Sequence, residues 1–303
     1  MMLMRFNDIL RARSTAGVLL GALLLSACGG SSQNVRPVTA DEKLNADDEP
    51  MASVKEYHRY HHHGGVTLFI AMSLDTLGVS PDRQAAVERI RTQLHSQMEP
   101  ARVAEQSLVS TLADGLAAGT LDPAKVDAAL IQVRVANAAV YDASVSALNE
   151  LHNLLTPPER AVLVDKVSSH WAVWQKANDD PESATENDGH LATLAVDLDL
   201  TSDQVRKIRA ALGVGASAVP RLDPLAIGAR LHAFGDAFES DSFDAKKLTT
   251  VNDANALVAG WGAGHMAHFV EATLLVLTAD QRAELAQHLR SHASHGLASG
   301  GAL

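Results

Sequence analysis

Four short segments of this chain share one form: Val79-Ser80-Pro81-Asp82-Arg83, Leu155-Thr156-Pro157-Pro158-Glu159, Leu200-Thr201-Ser202-Asp203-Gln204 and Leu277-Thr278-Ala279-Asp280-Gln281. Each places a Ser or Thr after an apolar residue, and three of the four add Glu or Gln three positions later; Arg83 is the departure. That spacing is a capping box, in which hydroxyl and acid or amide satisfy exposed backbone N–H groups at a helix start. One such box is ordinary in a helical protein. Four in register are not: Ser80 lies 121 residues before Thr201, and Thr156 lies 122 before Thr278. Leu121-Asp122 recurs as Phe243-Asp244, and His170 as His292, both at 122. The body is therefore one helical unit present twice, with Val66–Lys176 aligning on His190–His295.

An apolar residue seven positions after each cap, Val87, Leu163, Ile208 and Leu285, puts a side chain on the buried face two turns into each helix. Val126, Leu130, Val133, Asn137, Val140, Ser144, Leu148, Leu151 and Leu155 step by three or four, so one stripe of a long third helix faces a partner. The first unit then reads as helices over about 67–77, 81–118, 123–154 and 157–175. In the second unit Gly213, Gly215, Pro220 and Pro224 break the second helix. Aromatic residues are only 4%, while Ala, Leu and Val dominate, which disfavours sandwiches and barrels. The expected fold is all-α: two tandem four-helix hairpin units of long antiparallel helices, packed as an intramolecular pseudo-dimer. The polar stretch Lys176–Gly189, with Pro181, reads as the linker between them, and 296–303 as a tail. A random coil of that length spans roughly 20 Å, enough for the second copy to reverse and lie beside the first, leaving the chain a monomer.

The single cysteine follows a leader. Arg5, Arg11 and Arg13 make a positive start, Gly17 to Leu25 a short apolar run, and Leu25-Ser26-Ala27-Cys28 closes it. The run is too short for a permanent membrane helix. The segment resembles the lipobox of bacterial lipoproteins, which implies cleavage after residue 27 and lipidation at Cys28. Gly29, in place of an aspartate, is similar to the outer-membrane sorting pattern, so the expected location is periplasmic, anchored in the inner leaflet of the outer membrane. Residues 28–65 are polar, carry Pro37 and Pro50, and read as a flexible tether. Losing Arg5, Arg11, Arg13 and Asp8 takes the balance from 25 basic and 36 acidic residues to 22 and 35, a net −13, which argues against nucleic acid as a partner.

Chemistry-bearing patterns are few. No Gly-x-Ser-x-Gly elbow or phosphate-binding glycine loop occurs, and the carboxylates are scattered, so the expectation is no enzyme. Imidazole is the one good transition-metal ligand available. His288 and His292 lie four apart on the last helix, and His265 and His268 three apart, so each pair shares a helix face. Fourteen histidines make one such pair an ordinary accident, so solvated or core histidines compete with a metal site at both places. The run His58-Arg59-Tyr60-His61-His62-His63 is denser than chance and sits at the tether's end, where it reads either as a capturing segment for divalent ions or as a pH-responsive linker.

Two complete Leu-Thr-x-x-Gln motifs, Leu200–Gln204 and Leu277–Gln281, with degenerate copies at Val79–Arg83 and Leu155–Glu159, resemble the Spy/CpxP family of helical periplasmic proteins. ZraP-like and CnrX-like metal-responsive proteins are related to it. The resemblance implies helical hairpins that pair into a thin dimer, and one of two activities. The first is ATP-independent holding of unfolding envelope proteins, or regulation of a membrane stress circuit, with no cofactor required. The second is sensing or buffering of zinc, nickel, cobalt or copper, for which His61, His62, His63, His288 and His292 are the candidates. A structural lipoprotein that binds a partner protein is the third reading. The motif residues Ser80, Thr156, Glu159, Thr201, Gln204, Thr278 and Gln281 read as helix caps.

Overall fold

The computed structural model describes residues 64–179, 186–215 and 222–299, and side chains over 64–176, 191–214 and 222–291. These residues are predominantly helical and include no strand. The first repeat contributes α1 (Gly65–Asp75), α2 (Pro81–Gln97), α3 (Glu99–Ala118), α4 (Pro123–Leu154) and α5 (Pro157–Asp179). The second contributes α6 (Glu186–Asp197), α7 (Ser202–Gly215), α8 (Pro224–Glu239), α9 (Thr250–Leu274) and α10 (Ala279–Ser299). A 3-10 turn, Ala245–Lys247, precedes α9.

The start signals act locally as their chemistry requires. Pro123 and Pro224 occupy first-turn positions where no N–H is needed, and Asp122 Oδ1 accepts from the N–H groups of Ala124 and Lys125 at 3.1 and 3.3 Å. Asp223 Oδ1 does the same for Ala226 at 2.9 Å. Gly119 ends α3 in the left-handed conformation, and Thr120 N–H returns to the Gly115 carbonyl at 3.0 Å.

Two expectations need correction. The span 81–118 is not one helix: it breaks at Met98, because Pro100 cannot donate within the first turn of α3. The second repeat likewise starts a new helix at Pro224, after the extended Asp223, near the matching position. The linker also shrinks, since α5 runs on to Asp179 and α6 already starts at Glu186.

The most extensive interface joins α4 to α9, the third helices of the two repeats. Val126, Ala129 and Val133 from the start of α4 share a core with Ala263, Ala267 and Val270 from the later half of α9. Val140, Leu148 and Leu151 share another with Val251, Ala254 and Val258 from the early half. The two helices therefore run antiparallel. Buried Ala259, Gly260, Gly262, Ala263 and Gly264 keep α9 slim. A Cβ on Gly260 would stand 2.9 Å from Arg134 Cγ, so a side chain there would displace the arginine that lies over the helix.

Neither core belongs to one repeat. The first is built by α1, α2, the end of α4 and α5, completed by Ile227, Leu231, Phe234 and Phe238 of α8 and the start of α9. The second is built by α6, α7, the end of α9 and α10, completed by Leu108, Leu112 and Leu116 of α3 and the start of α4. The same exchange appears as α5 on α8 and α10 on α3. The repeats thus form an intramolecular pseudo-dimer with exchanged elements.

One feature of the centre breaks that symmetry. α1, rich in apolar residues, is buried along nearly its whole length, from Gly65 to Leu74 with Met72 half-buried. Gly64 N–H donates to Asn137 Oδ1 at 2.6 Å, and Thr67 N–H to Asn255 Oδ1 at 3.2 Å. Asn255 Nδ2 donates to Thr67 Oγ1 at 2.9 Å, and Asn137 Nδ2 to the Val133 carbonyl at 2.9 Å. Both asparagines are fully buried, one on α4 and one on α9, so α1 is pinned to both helices of the crossing. Gly65 has φ 48°, and a Cβ there would lie 2.6 Å from Asn255 Cα.

Since each core borrows a helix and a half from the other repeat, residues 64–179 and 186–299 expressed separately are expected to aggregate or lack cooperative melting. Mixing the two is expected to restore a single sharp thermal transition, and the joined chain to sediment as a monomer. Independent cooperative melting of either fragment would show that the exchange is not essential.

Candidate functional site: two interlocked pairs of helix caps

In the second repeat both complete motifs close full capping boxes. Thr201 N–H donates to Gln204 Oε1 at 3.0 Å while Gln204 N–H donates to Thr201 Oγ1 at 3.2 Å. Thr278 and Gln281 repeat this at 3.0 and 3.3 Å. The amide nitrogens, which a capping box leaves unused, cross between the two motifs. Gln204 Nε2 donates to Gln281 Oε1 at 2.7 Å and to the Val276 carbonyl at 3.2 Å. Gln281 Nε2 donates to the Leu198 carbonyl at 3.0 Å. Each glutamine therefore caps its own helix and fastens the turn that leads into the other.

The first repeat builds the same joint from different chemistry. Glu159 Oε2 accepts from Thr156 N–H and Oγ1 at 2.8 and 2.7 Å. Arg83 Nη1 donates to Glu159 Oε2 at 2.6 Å and to the Leu154 carbonyl at 3.4 Å. Leu154 precedes Thr156 by two residues, as Val276 precedes Thr278. Arg83 thus occupies the place of Gln204, and its partner is an acid instead of an amide. The Ser80 hydroxyl makes no backbone cap and instead accepts from Arg83 Nε at 3.0 Å. Partial burial pushes the Glu159 carboxyl up, but the hydrogen bonds from Thr156 and Arg83 outweigh it and hold its pKa below the ordinary value.

A further pair went unnoticed in the sequence, although the 122-residue offset marks it. Arg160 and Arg282 directly follow the capping acid and amide. Arg160 Nη1 donates to the Leu155 carbonyl at 3.4 Å and Nη2 reaches Asp241, just beyond α8, at 3.8 Å. Arg282 Nη1 donates to the Leu277 carbonyl at 2.8 Å, and its guanidinium lies over Gly119, the C-cap of α3. Each arginine therefore brings a positive charge to the C-terminal end of a helix in the other repeat, where the helix dipole favours it.

Among the described residues the histidines do not converge. His265 Nδ1 donates to the Trp261 carbonyl at 2.9 Å, and its ring lies 4.3 Å from that of Trp261. The ring keeps an exposed edge, yet it is enclosed enough that burial holds its pKa below the usual imidazole value. The Trp261 carbonyl opposes that shift, and the charge on His268 adds to it. His268 Nε2 turns away to the Leu212 carbonyl at 3.0 Å. His288 is exposed on α10. The side chain of His292, and Cys28, His61, His62 and His63, lie outside the described residues. Among the described residues no three His, Cys, Asp or Glu side chains gather as a metal site, and no helix is long and apolar enough to cross a membrane. His152 serves packing: buried at the end of α4, it stacks on Phe243 at 5.2 Å and donates from Nε2 to the Ser240 carbonyl at 2.9 Å.

The interlock generates a coupling test. Gln204→Ala and Gln281→Ala, combined, are expected to destabilise the chain by about 0.5–3 kcal/mol less than the sum of the single changes, because they share bonds. Gln204→Ala with Glu159→Ala, from different repeats, is expected to be additive within about 0.5 kcal/mol in denaturant unfolding.

Set against protein-family models, curated proteins and solved structures, the chain matches none of them.

Proposed function

We propose that this chain is a single-chain, lipid-tethered protein of the Spy/CpxP type, which binds unfolding envelope proteins or a membrane stress regulator and performs no turnover chemistry. The observation that carries the reading is the reciprocal joint between the two Leu-Thr-x-x-Gln motifs, Gln204 to Gln281, rebuilt as Arg83 to Glu159 in the first repeat. The motif on which the resemblance rests is thereby the fastening of each hairpin, a role that a run of unrelated helix starts does not have. In this reading the partner that such a hairpin needs is supplied within the chain, and Cys28 carries the anchor. No cofactor is required.

A protein-binding activity needs apolar surface left open. Ile131 and Val135, one turn apart on α4, are 58% and 59% exposed, and Leu257 on α9 is 37% exposed. The chain with Cys28→Ser, at severalfold molar excess, is expected to slow the aggregation of reduced α-lactalbumin followed by light scattering. Ile131→Ser with Val135→Ser is expected to weaken that effect without altering the melting transition. A full-length chain that leaves the scattering trace unchanged removes the holding activity and leaves binding to a regulator.

The anchor is tested separately. Cys28→Ser is expected to move the protein from the membrane pellet to the soluble periplasmic fraction, and retention in the pellet would place the attachment elsewhere.

A further inference from the structure

The two cap joints are equivalent in position and different in chemistry. The joint in the second repeat is made of amides, which do not titrate. That in the first repeat is an ion pair, Arg83 to Glu159, whose side chains are 23% and 16% exposed. We propose that the Arg83–Glu159 pair is an acid-released latch on the first core, while the neutral Gln204–Gln281 pair holds the second repeat closed.

The latch closes a defined seam. Arg83 stands at the start of α2 and Glu159 at the start of α5, so their bond and the Arg83 bond to the Leu154 carbonyl join the α1–α2 turn to the α4–α5 turn. Two further polar ties cross that seam: Lys166 Nζ donates to Thr76 Oγ1 at 2.9 Å, and Arg89 on α2 pairs with Glu150 on α4. Behind it lie Val87 on α2 and Leu163, Val167 and Trp171 on α5, all in the first core. Other charged groups stand on the elements around the joint. They include Asp82 and Glu88 on α2, Asp75 on α1 paired with Arg91, Glu150 on α4 paired with Arg89, buried His152 at the end of α4, Arg160, Asp165, Lys166 and buried His170 on α5, and Arg230, Asp236 and Glu239 on α8. Arg83 is the charged group that hydrogen-bonds the Glu159 carboxyl and holds its pKa down.

The direction follows from linkage. The folded pKa of Glu159 is depressed, so its contribution is complete above the unfolded value of 4.5 and is lost as pH falls through the folded one. Protonation removes the charge that Arg83 faces and uses one carboxyl oxygen as an O–H donor, so the carboxyl no longer accepts from Arg83 and Thr156 on equal terms. The first core therefore loosens at acid pH while the amide joint of the second is unaffected.

The structure also supplies the reporter. Trp171 and Trp174, on the helix that the latch holds, stack at 5.3 Å, and Trp174 meets Trp261 edge-on at 5.5 Å. The experiment follows tryptophan emission from pH 7 to pH 3 in the full chain carrying Cys28→Ser. It is compared with the same chain bearing Arg83→Gln and Glu159→Gln, which copies the amide joint. The opening equilibrium of the parent is expected to rise severalfold more between pH 6 and pH 3.5 than that of the amide version. Glu159→Gln alone, which keeps an acceptor for Arg83, is expected to flatten the acid response in the same way. The reverse transplant, Gln204→Arg with Gln281→Glu, is expected to give the second repeat an added acid-dependent drop in melting temperature. Acid profiles that coincide for the parent and both amide variants would overturn the latch.

Discussion

The antiparallel crossing of α4 and α9 is the contact on which everything else depends. It brings the late half of each long helix against the early half of the other, and so creates two separate apolar spaces, one at each end. Neither repeat can fill its own space. The first lacks the Phe234 and Phe238 side chains of α8, and the second lacks Leu108, Leu112 and Leu116 of α3. Burial of apolar surface is the dominant folding force, at about 25 cal/mol per Å², so a half with an unfilled core gains too little to offset its chain entropy. The small residues of α9 are the condition for this arrangement. Glycine inside a helix costs up to about 1 kcal/mol relative to alanine, a cost offset here by the closeness of the crossing.

The cap joints solve a different problem. Helix starts leave N–H groups without partners, and tight turns leave carbonyls exposed near the surface. Glutamine at the third position answers both, since its oxygen serves the cap and its nitrogen is free for the neighbouring turn. An acid in that position has only acceptors, so a glutamate cap requires a donor from across the joint. Glu159 finds it in Arg83, which explains why the one cap without an acid or amide lies opposite a cap with an acid. Arg83 and Glu159 are thus matched to each other across the joint.

Much of this was legible in the sequence because the signals were local or periodic. Asp122 before Pro123, the 32-residue stripe of α4 and the four cap segments each follow from backbone chemistry within a few residues. The pairing of the repeats followed from an apolar face too long for one hairpin to cover. What was not legible depends on side chains meeting across long separations. Asn137 sits in the apolar stripe of α4 and gives no hint that it holds Gly64, 73 residues away. Pro100 was lost inside a continuous apolar pattern, because a break that preserves the buried face leaves the periodicity intact. The exchange of α3 and α8 between cores was hidden for the same reason, since a stripe says that a helix is covered but not by which helix.

Covalent fusion permits an asymmetry that a symmetric dimer excludes. Asn137 and Asn255 are not equivalent positions: at the 122-residue offset Asn137 corresponds to Ala259, and Asn255 to Val133. Together they grip a single α1 where the two long helices cross. In a homodimer both copies would present the same residues, and two first helices would compete for one space at the axis. With the copies joined, one repeat places its first helix there, and the other is free to keep small apolar residues at the matching sites. The same freedom allows one joint to be ionic and the other neutral. A change of Gln to Arg in a homodimer appears twice and needs two acids, whereas here a single compensating residue, Glu159, suffices. The tandem arrangement therefore does more than raise the effective concentration of a partner: it lets two ends of one fold respond differently to the same surroundings.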